Sequence, residues 1–110
     1  MGIVSPVGSE LEQAWSNVCE GVSGTRLIDD FDTSSFPTRI AGLVKDFDVD
    51  SYISKKEQRK NDPFIHYGVA ATMDAIKDAG LEITEENGHE IGVAMGSGIG
   101  GIKTIEDNQN

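Results

Sequence analysis

IGVAMGSGIGG, residues Ile91–Gly101, decides how the chain is read, because an apolar run meets four glycines within the last eight positions. Ile91, Val93 and Met95 fall on one side of an extended chain, and Gly92 and Ala94 leave the other side nearly bare. That alternation predicts a buried strand. The residues after the glycines, GIKTIEDNQN, predict the start of a helix, which makes the unit strand–loop–helix and the class α/β. Gly96, Gly98 and Gly101 satisfy G-x-G-x-x-G, the spacing of a dinucleotide loop. Such a site also needs a second strand and a ribose-binding acid about 20 residues further on. Only nine residues follow Gly101, so a nucleotide-binding module rests on a lone and weak motif. The rival reading is a tight turn where backbones crowd. Ser97 is no nucleophile elbow, since Met95 and Ile99 stand where glycines are required. Ile99, a branched apolar residue among glycines, either plugs a neighbouring helix or lines a pocket for an apolar ligand.

Working outward, the clearest helix lies upstream. Asp62 is a good N-cap and Pro63 suits the first helical position. Phe64, Ile65, Val69, Ala70, Met73 and Ile76 repeat at helical spacing to Ala79, and Gly80 closes the run. Gly68 and the alanines at 70, 71 and 75 keep this helix slim enough for a close neighbour. Ser9 and Glu12 form a capping box opening an earlier helix, with Leu11, Ala14, Trp15, Val18 and Val22 on one face and Gly21 as a left-handed cap. Ser54 and Glu57 suggest a second capping box, and Ile40–Val44 a short strand after the polar loop DDFDTSSFPTR. Two strands make no self-sufficient sheet, so the expectation is a piece of a larger protein.

The 110 residues leave room for one modest domain, and no apolar stretch reaches membrane-span length. Cytosolic placement without membrane contact is therefore expected. Cys19, the single cysteine, reads as a structural thiol within a helix. His66 and His89 lack metal-ligand spacing, so neither a metal nor another cofactor is expected. The net charge of −10 argues against nucleic acid as a partner. Within that acidic chain, KKEQRK concentrates four of the nine basic residues, Lys55, Lys56, Arg59 and Lys60. Lys56, Arg59 and Lys60 would share one helical face. Such a run is either a solvated surface or a docking patch for an acidic partner.

Three stretches together, LIDDFDTSSFPTRIAGLVKDFD, SKKEQRKNDPFIHYGVAATMDAIKDAGLEITEEN and IGVAMGSGIGGIKTIEDN, closely resemble the opening part of the condensing enzymes of bacterial fatty-acid synthesis. The likeness to β-ketoacyl-[acyl-carrier-protein] synthases runs from Met1 to Asn110, and the isoleucine in GSGIGG favours the type II form. It implies a thiolase-like αβαβα layered fold, of which residues 1–110 would be the N-terminal part of the first domain. A family strand of the type V-V-V-T-G that precedes MGIVSPVG is missing, as is the catalytic region. The implied activity is acyl transfer, a decarboxylative condensation of malonyl- with acyl-loaded acyl carrier protein by a cytoplasmic homodimer without a cofactor. The catalytic cysteine and histidines would lie beyond this sequence, so no catalytic residue is assigned. Lys56, Arg59 and Lys60 resemble the positions that contact the acidic carrier. Ile99, with Gly98 and Gly100, resembles the gate of the acyl pocket. A non-catalytic chain-length-factor relative would share these features.

Overall fold

The computed structural model describes residues 1–109. Two compact units emerge, one formed by Ile3–Phe47 and the other by Met1–Gly2 with the chain from Asp48 onward.

In the first unit, helix α1 spans Leu11–Cys19. Its N-cap is Glu10, without a side-chain cap, so the expected Ser9–Glu12 box is not formed. The hydroxyl of Ser9 is enclosed and unpartnered instead. Helix ends shift easily by a residue, and here the helix begins one position too late for Ser9 to reach its amides. The other end follows the sequence. Gly21 adopts φ 71° and donates to the Val18 carbonyl at 3.2 Å, while Val22 donates to Asn17 at 2.8 Å. Those two bonds form a Schellman cap, which needs the left-handed conformation that glycine adopts cheaply. Only Ala14, 3% exposed, is buried on α1, whereas Trp15 and Val18 stay exposed. Cys19 is also exposed at the helix end, so it is no core thiol.

Strand β1, Thr25–Leu27, pairs antiparallel with β2, Ile40–Gly42, in the register Thr25↔Gly42, Arg26↔Ala41 and Leu27↔Ile40. The expected strand at 40–44 is thus real but shorter, and its partner had no clear signal. Lys45 bridges Asp29 at 2.7 Å and Asp30 at 3.2 Å within the same unit.

The second unit contains the short helix α2 (Lys55–Gln58), the long helix α3 (Pro63–Asp78) and α4 (Ile102–Asp107). Asp62 is the N-cap of α3 and Pro63 its first residue, as expected, yet the Asp62 side chain makes no cap bond. At the far end Gly80 (φ 61°) donates to Lys77 and Leu81 to Ile76, a second Schellman cap. Ala70, 0% exposed, is the fully buried apolar residue of α3.

The buried strand expected at 91–96 does not form. This run pairs with no strand among the described residues, and Val93 and Met95 are exposed. Alternating side chains specify a face, but a ladder also requires a partner backbone, and no described segment supplies one here. The helix expected after the glycines does form, as α4.

Candidate functional site

The basic cluster lies on one tight turn. Ser54 caps α2 by accepting from the Glu57 amide at 3.4 Å, as its sequence predicts. Lys60 donates its amide to the Glu57 carbonyl at 3.0 Å, so the helical course continues one residue past Arg59. The four cations then separate in character. Lys55 pairs with Asp50 at 2.6 Å, and Lys60 pairs with Glu57 at 3.3 Å. Lys56 and Arg59 are exposed and form no ion pair among the described residues.

Asp50 organises this turn from outside it. Its carboxylate accepts from the Gln58 amide at 2.8 Å as well as from Lys55. The Gln58 hydrogen bond, followed by the Lys55 hydrogen bond, holds the Asp50 carboxyl below the usual aspartate value. Gln58 also donates to the Ile53 carbonyl at 2.7 Å. Tyr52 donates its hydroxyl to Asp74 on α3 at 3.0 Å, fastening the segment before α2 to the long helix. The outcome is a supported turn with Lys56 and Arg59 facing solvent and Lys55 neutralised.

The glycine loop borders an apolar cavity of about 310 Å3. Phe64, Gly68 and Thr72, spaced four residues apart on α3, form one wall; Met95, Gly96 and Ser97 form part of another. The slimness of α3 at Gly68 matters here, because a Cβ at that position would lie 3.1 Å from the Met95 methyl. Thr72 donates its hydroxyl to the Gly68 carbonyl at 2.7 Å and sits 3.7 Å from the Met95 sulfur. Within the loop, Ser97 Oγ accepts from the Gly100 amide at 3.0 Å. No atoms crowd the Cβ positions of Gly96 and Gly98, whereas the Phe64 ring lies 3.3 Å from that of Gly100. Ile99 projects from this loop 71% exposed.

Sequence reasoning singled out Ile99, Gly98 and Gly100 but not the cavity wall at Phe64, Thr72 and Met95. The available signal was the small residue Gly68 inside an apolar helical face. The loop lacks the surroundings of a dinucleotide site among the described residues, since no paired strand precedes it and apolar side chains line its cavity. The structure does not join Cys19, His66 and His89 into a described cluster. Cys19 belongs to the unit of Ile3–Phe47. His66 is half-buried on α3 with Nε2 enclosed and unpartnered, and exposed His89 lies 3.9 Å from the Glu90 carboxylate. Among the described residues no group of three or more His, Cys, Asp or Glu side chains could hold a metal ion. None of their helices is long and apolar enough to cross a membrane.

Comparison with known proteins adds family information to this geometry. The family model described as beta-ketoacyl synthase, N-terminal domain, matches residues 1–110. A protein of Vibrio harveyi named 3-oxoacyl-[acyl-carrier-protein] synthase 2 is 57% identical over 106 residues, which cover 96% of this chain and 26% of the relative. Its Vibrio cholerae namesake is 55% identical over the same shares. A Synechocystis protein of that name is 43% identical over 109 residues, or 99% of this chain and 26% of the relative. The chain therefore spans about a quarter of the length of the curated relatives it matches.

Proposed function

We propose that this chain, which belongs to the β-ketoacyl synthase family, serves a 3-oxoacyl-[acyl-carrier-protein] synthase of bacterial type II fatty-acid synthesis. The reaction is a decarboxylative condensation. An acyl group passes from its carrier thioester to a cysteine thiol, and malonyl carrier protein loses CO2. The carbanion left behind attacks the acyl thioester, releasing the cysteine and forming 3-oxoacyl carrier protein. Cys19, His66 and His89 take no part in those steps; the nucleophile and its histidines belong to other residues of the enzyme.

Two roles fall to this chain. Lys56, Arg59 and Lys60 receive the acidic carrier, and Ile99, swung by Gly98 and Gly100, gates the acyl pocket. The observation that carries the reading is the match through residues 1–110 to relatives named for acyl-carrier-protein chemistry. The geometry supports it with two unpaired cations on a chain of net charge −10. Charge complementarity there would speed encounter with an acidic partner. The apolar cavity beside the loop supports the gate with a lining suited to a hydrocarbon chain. Exposed apolar side chains such as Trp15, Val18 and Val93 support burial within a thiolase-like layered fold. A cytoplasmic homodimer completes the proposal.

The test is a condensation assay on the protein that carries this chain, supplied with acyl- and malonyl-loaded carrier protein. Release of CO2 with matching formation of 3-oxoacyl carrier supports the reading. Binding of the acyl carrier without CO2 release would favour the non-catalytic chain-length-factor relative, and stabilisation by NAD without acyl transfer would favour the nucleotide module.

A further inference from the structure

We infer that Asp62 is a positioning residue that pins the downstream hinge of the glycine loop. Asp62 occupies the N-cap of α3, where an aspartate ordinarily turns its carboxylate onto the amides of its own first turn. Here it makes no such bond. Oδ1 accepts the hydroxyl of Thr104, 42 residues along the chain and inside α4. Oδ2 lies against Gly101, so closely that a Cβ at that glycine would collide with the carboxylate. One side chain thus grips both the last glycine of the loop and the first turn of α4.

The inference rests on the gate reading of Ile99 and gives that gate defined ends. Downstream, Asp62 holds Gly101 and Thr104, and the Phe64 ring abuts Gly100. Upstream, Met95 rests against Gly68 and Thr72. Between these anchors, Gly96 and Gly98 have uncrowded Cβ positions and Ile99 is exposed. Motion is therefore concentrated at residues 96–99, and Asp62 decides how far it spreads. A carboxylate suits the task, because a hydrogen bond to a charged acceptor is stronger than one between neutral groups. The requirement at 101 is steric: any side chain would displace the carboxylate that holds the hinge.

The experiment is site-resolved hydrogen exchange on the protein that carries this chain, comparing parent, Thr104→Val, Asp62→Ala, Asp62→Asn and the Thr104→Val/Asp62→Ala double variant. The informative amides are those of Gly100, Ile102 and Ile105, each hydrogen-bonded near the hinge. Thr104→Val and Asp62→Ala should each speed exchange there by about tenfold, the loss expected for a hydrogen bond to a charged group. The double variant should go no further than either single one, because both remove the same contact. Asp62→Asn, which keeps an acceptor, should fall near the parent. Exchange in the middle of α3 should not change. Unchanged hinge exchange, additive effects, or faster exchange throughout α3 would each overturn the assignment, the last by making Asp62 a support for its own helix. Condensation measured on the same samples keeps the two ideas apart. An inactive parent would defeat the condensing reading, while the exchange pattern would still decide the hinge.

Discussion

Replacing Arg59 by glutamate removes a cation that no acidic side chain neutralises among the described residues. Exposed ion pairs are worth about 0.2–1 kcal/mol, so losing one contact to the carrier corresponds to roughly 1.4- to 5-fold in affinity. Charge reversal replaces attraction with repulsion of similar size, for an effect of about 2- to 25-fold. Neighbouring lysines should respond differently. Lys56→Glu should match Arg59→Glu, because Lys56 is equally unpaired. Lys60→Glu should have a smaller effect, since Glu57 already compensates Lys60 at 3.3 Å. Lys55→Ala should have almost none, because Asp50 neutralises Lys55 at 2.6 Å. The assay is steady-state condensation with carrier protein varied, read as KM at low and at high ionic strength. The differences should shrink toward 1 M salt, where the screening length is about 3 Å, and kcat should hold. An unchanged KM for Arg59→Glu at low salt, or a Lys55→Ala effect as large as that of Arg59→Glu, would refute the docking argument.

The other predictions concern the supports of the site. Gly80→Ala should cost about 1 kcal/mol, read from the denaturation midpoint at constant m-value, because a side chain at φ 61° is strained although nothing crowds its Cβ. Tyr52→Phe should cost about 1 kcal/mol by the same assay through loss of the bond to Asp74, and should weaken carrier binding by loosening the docking turn. Asp50 titrates below the ordinary aspartate value in the folded protein, so its contribution to stability is present above that value and is lost as pH falls through the folded pKa. Carboxyl NMR should show a larger upward shift for Gln58→Ala than for Lys55→Ala, because the Gln58 bond is the larger cause. The reverse order would contradict that assignment.

Helices were legible in this sequence where a terminus needs a particular residue. Gly21 and Gly80 mark caps that require a left-handed backbone, and Pro63 marks a start that tolerates a missing N–H. The docking turn was legible for a similar reason, since Ser54 and the basic run are local features. What failed were properties set by distant partners. Residues 91–96 have the alternation of a strand but no described backbone to pair with. Strand β1 is three residues long and takes its identity from β2. Asp62 was placed correctly at a helix start, yet its carboxylate belongs to Thr104, a contact that no local spacing encodes. Family likeness supplied the roles of Ile99 and the lysines; spacing alone left them between a solvated surface and a site.

The most direct measurement is photocrosslinking from a carrier protein bearing a photoreactive acyl chain, mixed with the protein that carries this chain and mapped residue by residue. Labels from the acyl chain should fall on Ile99 and on the cavity wall around Phe64, Thr72 and Met95, and Arg59→Glu should diminish them. If acyl transfer proceeds while those residues stay unlabelled, the chain neither gates nor lines the path of the acyl group.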